Sequence, residues 1–303
     1  MFLNKKINVV SFGEVLFDVF GEEKKIGGAP LNLALRTASF GFPVAMISAV
    51  GNDEDGKVIC DYARENLLDT SGIITTQGYD TGIVQVTLNE RGSATYEIKF
   101  PSAWDFIETN ENTQNIVKNA DVFFYGSLAC RNDASKNTLF SLLDSNPEMF
   151  KVFDVNLRKP FYNIELLEKL MNKADFIKFN DEEILEIAVK LGFKSENLEE
   201  NICFISEKTN TGSVCVTLGK HGSILLWNNK FYRHGGYPVK VADTVGAGDS
   251  FLASLIAKLL SDQNPDEALN FASAIGALVA SYSGANPNLE NKEIESFMKE
   301  RAL

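Results

Sequence analysis

The chain has few of the groups from which metal enzymes and hydrolases are built. It contains two histidines, His221 and His234, and four cysteines, Cys60, Cys130, Cys203 and Cys215, with no C-x-x-C spacing. Residues so few and so scattered make neither a zinc ligand set nor a Ser-His-Asp triad. The cysteines lie in apolar segments and read as reduced core thiols of a cytoplasmic protein. No run of about 18 apolar residues is present, so no membrane span is expected. Glu14 and Asp18 interrupt the first apolar stretch, and no small-residue cleavage site follows it, which argues against a secretory leader. Basic residues are also scarce: 29 Lys and Arg against 41 Asp and Glu, for a formal net charge of −12. An acidic surface repels phosphodiester backbones, so nucleic acid is not an expected partner. A phosphate-bearing small molecule in a locally positive pocket stays open.

What is present is ample apolar material. Hydrophobic residues make up 45% of 303, enough for the core of one large α/β domain spanning 1–303. Ile7–Phe12 and Val44–Val50 read as buried strands, and Leu31, Leu35 and Ala38 recur at helical spacing between them. A helix is predicted over Asp53–Leu68. From Gly82 the pattern changes. Ile83–Leu88 and Ala94–Phe100 are two strands around Asn89-Glu90-Arg91-Gly92, a hairpin signal, and no helix separates them. They are expected to form a small sheet apart from the main one. Strands then alternate with helices: Val122–Tyr125, Val152–Val155, Phe176–Phe179 and Val214–Leu218 against Ala134–Leu143, Ile164–Asn172 and Glu182–Leu191. Such alternation predicts a doubly wound, mostly parallel sheet covered on both faces. Gly246 to Tyr282 is nearly all helical, with a further helix from Leu289.

The segment richest in chemistry is Asp243-Thr244-Val245-Gly246-Ala247-Gly248-Asp249-Ser250-Phe251. Small residues open a long helical run, and backbone N–H groups at a helix N-terminus lack internal partners and attract anions. Asp249 falls in the same first turn. Taken alone, a G-x-G-D string is more often a tight turn with a dipole-complementing acid. The whole string, however, resembles the second signature of the ribokinase-like (PfkB) carbohydrate kinases. Three further segments match that family in order and spacing. Gly27-Gly28-Ala29-Pro30-Leu31-Asn32, with Gly41 and Gly51-Asn52-Asp53-Glu54-Asp55-Gly56 beyond it, resembles the first signature. Asn180-Asp181-Glu182-Glu183 resembles N-x-x-E, and Thr217-Leu218-Gly219-Lys220-His221-Gly222 resembles T-x-G-x-x-G. The resemblance covers essentially the whole chain.

The resemblance implies an ATP-dependent sugar kinase. Asp249 would take the proton of the accepting hydroxyl, and the amides of Gly246, Ala247 and Gly248 would hold the charge on the transferred phosphoryl group. Asp18, Gly28 and Asn32 match the family's sugar contacts, a carboxylate being suited to accept from two vicinal hydroxyls. Arg158, in Asp154-Val155-Asn156-Leu157-Arg158, matches a fructokinase-branch segment and would meet phosphate or substrate oxygen; an ordinary surface arginine is its rival. Asn180, Thr217, Gly219, Gly222 and Asn286 correspond to nucleotide-side positions, and Glu183 to the organiser of a hydrated Mg²⁺. For Asn180 and Glu183 plain helix-start roles stay open. In relatives, carbonyls near Asp243 and Val245 also hold a monovalent cation such as K⁺. Residues 13–25 and 82–100 would make a β lid that pairs two subunits into a homodimer. D-fructose, phosphorylated on its 6-hydroxyl, is the expected acceptor, with a 2-keto-3-deoxygluconate kinase the nearest rival. The lid offers no arginine in Tyr96–Asp105 for a carboxylate, only Lys99, and Trp104 there could stack on a sugar face or simply pack. A ribokinase, a nucleoside kinase and a catalytically silent sugar-binding regulator are further alternatives. A dinucleotide-dependent oxidoreductase is disfavoured, because no G-x-G-x-x-G follows the first strand.

Overall fold

In the computed structural model, residues 6–88 and 94–300 are described. The hairpin tip at Asn89–Gly92 therefore lies outside the described residues. The chain divides into two compact units, one over Ile7–Met149 and the other from Phe150 onward with Lys6.

In the first unit the order is β1 (Val9–Phe12), β2 (Leu16–Phe20), β3 (Glu23–Gly27), α1 (Ala29–Ser39), β4 (Val44–Gly51), α2 (Glu54–Glu65), β5 (Leu68–Thr76), β6 (Gly82–Leu88), β7 (Ala94–Ile98), α3 (Glu111–Lys118), β8 (Val122–Gly126) and α4 (Asp133–Ser145). β8, β1, β4 and β5 are parallel neighbours in that order. Every residue of β1 and β4 is buried, which is why these strands read as unbroken apolar runs rather than as alternation. The second sheet has the order β3-β2-β6-β7. β6 and β7 lie in it apart from the main sheet, as the missing helix between them predicted, and β2 and β3, the latter running on to Gly27, complete it. Asp18 lies on β2, opposite Lys25 and Val84. Leu16, Val84 and Val86 form a buried apolar cluster in this small sheet, with Phe20 and Ile98 against it.

The helix predicted to reach Leu68 stops at Glu65. Asp53 caps it, accepting from Gly56 N at 2.8 Å. Leu67 turns left-handed, with φ 66°, and Leu68 opens β5, a strand that helical spacing through Asp53–Leu68 concealed.

The second unit runs β9 (Phe150–Asp154), α5 (Ile164–Met171), β10 (Phe176–Asn180), α6 (Asp181–Lys190), α7 (Leu198–Thr209), β11 (Ser213–Thr217), β12 (Ser223–Trp227), β13 (Lys230–His234), α8 (Ala247–Leu260), α9 (Pro265–Ala280) and α10 (Asn291–Glu300). β9, β10 and β11 are parallel, and β12 and β13 continue the sheet antiparallel. The mostly parallel sheet with flanking helices is the predicted class. Asn228 and Asn229, both at positive φ, turn β12 into β13, the use to which short amide side chains are suited. His234 consequently ends a strand. α8 is buried over most of its length and packs on α9, whose Gly276 brings the Phe251 Cβ to within 3.3 Å of where its own Cβ would stand. Of the cysteines, Cys130 and Cys215 are buried, and burial pushes each thiol up to about 12. Cys203 is exposed and Cys60 half-buried, so only two of the four are core residues.

Candidate active site

The second unit brings together most of the residues singled out for phosphate chemistry. Three parallel strands end side by side, at Asp154, Asn180 and Thr217, the edge at which open α/β sheets bind ligands. α8 starts just after Gly246, its N-cap, at φ 75°. That angle favours glycine, and a Cβ there would come within 2.6 Å of the Ala285 backbone. Asp243 ties this turn down: one carboxylate oxygen accepts from Val245 N at 3.0 Å, the other from Gly284 N at 3.2 Å. The segment 283–286 therefore packs on the turn that opens α8. Ala247 N bends back to Thr244 O at 3.3 Å. The next amide, Gly248 N, is one of the helix's first N–H groups and has no acceptor within the helix. Asp249 follows in that first turn.

Beside the turn lies a cavity of about 300 Å³. Thr217, Gly219, Gly222, Ala247 and Gly248 line it, with Tyr237, Val239, Val241 and Phe251 supplying apolar wall. Tyr237 is fixed by a 2.6 Å bond from its hydroxyl to Asn270 and by stacking on His234. An apolar slot with a few polar groups at one end suits a flat heterocycle carrying phosphates. Tyr237 has no counterpart among the residues picked from the sequence, because its role depends on β13 delivering the chain to this wall.

Asn180 and Glu183 have mutual helix-capping roles. Asn180 Oδ1 accepts from Glu183 N, and Glu183 Oε2 accepts from Asn180 N, both at 2.8 Å. The other oxygen, Glu183 Oε1, accepts from Leu157 N at 2.9 Å. Glu183 thus pins the Asp154–Arg158 loop to α6. Tyr162 adds a second tie, its hydroxyl donating to Glu186 at 2.6 Å. Bonds from Lys190 and Tyr162, outweighing burial and aided by Lys159, hold the Glu186 carboxyl down at about 2, while burial and Glu186 push the Tyr162 hydroxyl up to about 12. Arg158 itself is exposed and donates to its neighbour's carbonyl, Leu157 O.

The largest addition to the sequence reading is Lys178. It sits in mid-β10, buried, 3.0 Å from Asp154 Oδ1. Burial alone would lower its pKa; the carboxylates of Asp154, Glu183 and Asp249 overcome that and raise it. A Cβ on Gly248 would stand 3.3 Å from its Nζ. The signal was a lysine in the apolar run Phe176-Ile177-Lys178-Phe179.

The first unit holds the residues assigned to sugar binding. Gly28 has φ 111°, and a Cβ there would collide with the Glu14 carbonyl. It caps α1, where Asn32, buried, donates its N–H to Gly28 O at 2.9 Å. The Asp18 carboxylate lies against Gly27, whose Cβ would sit 2.5 Å from Asp18 Oδ2. Trp104 offers no stacking surface: it is fully buried, with Gly82 against its indole and the Arg131 guanidinium 3.8 Å from its ring centroid. The packing alternative holds, because Arg131 is itself locked to Asp105 by bonds of 2.6 and 2.7 Å.

A glycine-opened helix start beside an acid and an apolar slot is an arrangement suited to the class of enzymes that handle phosphoryl groups. The sequence comparisons narrow the class. A model of the pfkB family of carbohydrate kinases matches residues 4–292. Probable fructokinase-3 of Arabidopsis thaliana is 30% identical over 326 residues, covering 97% of this chain and 92% of that one. Fructokinase-2 of Solanum lycopersicum is 29% identical, covering 93% and 92%. Among solved structures, the Vibrio cholerae O395 fructokinase with fructose, ADP and calcium ion is 25% identical, with TM-score 0.83, covering 97% of this chain and 99% of that one. An uncharacterized sugar kinase from Pyrococcus horikoshii is 27% identical, with TM-score 0.81, covering 96% and 99%. The chain belongs to the pfkB family of carbohydrate kinases. It is a sugar kinase. No described helix is long and apolar enough to cross a membrane.

Proposed function

We propose that this sugar kinase transfers the γ-phosphoryl group of ATP to the 6-hydroxyl of D-fructose. The observation that carries the reading is the Gly246–Asp249 turn opening α8 beside the 300 Å³ slot, in a chain whose curated relatives are named fructokinases. The slot takes the base, and the turn's amides take phosphate oxygens. ATP supplies the phosphoryl group. Asp249 accepts the acceptor's proton late, when the forming P–O bond has acidified the hydroxyl. Asp18 and Asn32 hold sugar hydroxyls, and the small sheet carrying Asp18 acts as a lid. Asn286 belongs to the segment packed on the turn. Glu183 spends both oxygens on backbone N–H groups, so its part toward Mg²⁺ runs through the cation's water shell. Arg158, exposed, swings onto phosphate by giving up its bond to Leu157 O.

A neutral acceptor is favoured over a keto acid by the state of the lid's cations. Lys24 pairs with Asp55 at 2.6 Å, Lys25 faces Glu23 at 3.5 Å, and Lys99 pairs with Asp80 at 2.8 Å. Among the described residues each lid lysine already answers a carboxylate, which leaves a substrate carboxylate without a dedicated cation. The test is an ADP-release assay over fructose, ribose, tagatose, 2-keto-3-deoxygluconate and adenosine. Fructose is expected to give the highest kcat/KM; a tenfold preference for a keto acid or nucleoside would overturn the acceptor.

A further inference from the structure

We infer that the buried Lys178–Asp154 pair is a positioning element for phosphoryl transfer, its ammonium lying behind the Gly248 amide and beside Asp249 to support the charge that the α8 turn receives. The inference rests on the kinase reading above and concerns two side chains to which that reading gives no part.

Both partners have hydrogen-bonding capacity to spare. Lys178 Nζ carries three donors and makes one hydrogen bond, to Asp154 Oδ1 at 3.0 Å. Asp154 Oδ2 is buried and accepts none. A pair kept for stability alone would be expected to satisfy these groups, because a buried ion pair repays its desolvation only with good geometry and complete hydrogen bonding. An apolar pair of the same volume would serve the sheet as well or better.

The placement is specific. Lys178 lies opposite Asp154 on β9 and Cys215 on β11 in strict parallel register. Asp154 is hydrogen-bonded to it, Cys215 is its register neighbour, and Glu183 at the start of α6 and Asp249 at the start of α8 are near enough to act on its charge. Cys215 is a neutral thiol at working pH. Three carboxylates thus act on one cation, which lies next to an amide that would meet a polyanion. Without the cation, the cluster would repel incoming phosphate and turn Asp249 toward any other positive group. With it, Asp249 stays beside the turn, and the field at Gly248 favours negative charge. Such preorganised charge acts in the transition state, where the phosphoryl group is transferred, more than in the ground state.

Lys178→Met, Lys178→Arg, Asp154→Asn and the double variant Asp154→Asn/Lys178→Met separate positioning from structure. Lys178→Met should lose on the order of 10²-fold in kcat, while KM for ATP and for sugar each change by less than about threefold. Lys178→Arg, which retains the charge, should recover part of kcat. The double variant removes both charges, so it should recover the melting temperature lost in either single variant while kcat stays low. Should Lys178→Met fail to fold, the double variant and Lys178→Arg carry the same comparison. Recovery of kcat along with melting temperature in the double variant would show a purely structural pair and overturn the inference. So would a raised KM at unchanged kcat. If no acceptor of the panel stimulates ADP release by the wild-type chain, the proposed transfer reaction fails and the inference with it; acceptor-dependent wild-type activity together with either overturning result sinks the inference alone.

Discussion

At the residue scale, the proposed chemistry concentrates on a few carboxylates with different surroundings. Asp249 stands in the first turn of α8, where an acid is also favoured by the helix dipole, so its position by itself does not separate structure from catalysis. Substitution does. Asp249→Asn keeps the shape and removes the base, and kcat should fall by about 10²-fold or more with the melting temperature unchanged within a few degrees. Near-normal turnover would take the base role from Asp249. Asp18 grips the acceptor in the proposed reaction, so Asp18→Ala should raise KM for sugar at least about tenfold and leave KM for ATP nearly alone. Equal losses for both ligands would point to a folding defect.

At the element scale, the decisive features are the joints between elements. The start of α8 depends on Gly246, whose φ of 75° and approach to Ala285 leave no room for a side chain. Gly246→Ala should both destabilise the fold by about 1–3 kcal/mol and abolish most activity; full activity would mean that the turn's geometry is dispensable. The loop after β9 is held to α6 by Glu183 and by the Tyr162–Glu186 bond. Glu186 is held at about 2 against an ordinary 4.5. A depressed carboxyl contributes stability that is fully present above its unfolded value and is lost as pH falls toward its folded value. Urea denaturation of wild type and Glu186→Gln should therefore differ most above pH 5 and converge as pH is lowered toward 3. A gap that widens on acidification would contradict the assignment. The elements missing from the sequence reading are those whose signal is local and weak. β5 begins inside a helical-looking run, the β12–β13 hairpin turns on two asparagines, α3 has only 8 residues, and α7, though 12 residues long, carries Glu199, Glu200, Glu207 and Lys208 among its apolar positions.

At the scale of the molecule, the acidic balance and the paired lysines Lys24, Lys25 and Lys99 in and beside the small sheet bear on what is bound. With a net charge of −12, binding of a polyanionic nucleotide has to be local, and it is expected to stabilise the fold by mass action. ATP and fructose, each added at about 100 times its Kd, should raise the melting temperature separately, and ribose less than fructose. A melting temperature unmoved by ATP would rule out the apolar slot as a nucleotide site.

The sequence by itself determined the fold class and the family. Glycine turns, a small-residue helix start and strands buried on both faces impose local patterns that survive without any contact map. The places of Gly246 and Asp249 at the start of α8, and of Thr217 and Gly219 at the end of a strand, were legible for that reason, since each belongs to a contiguous string. Tertiary structure alone decided what distant residues do to one another. It buried Trp104 under Arg131 and so removed it from any sugar face, turned both Glu183 oxygens to backbone N–H groups, and set Lys178 beside Asp154, 24 residues away in the chain. Such pairings follow from strand register and side-chain direction across neighbouring strands, and a linear pattern carries neither.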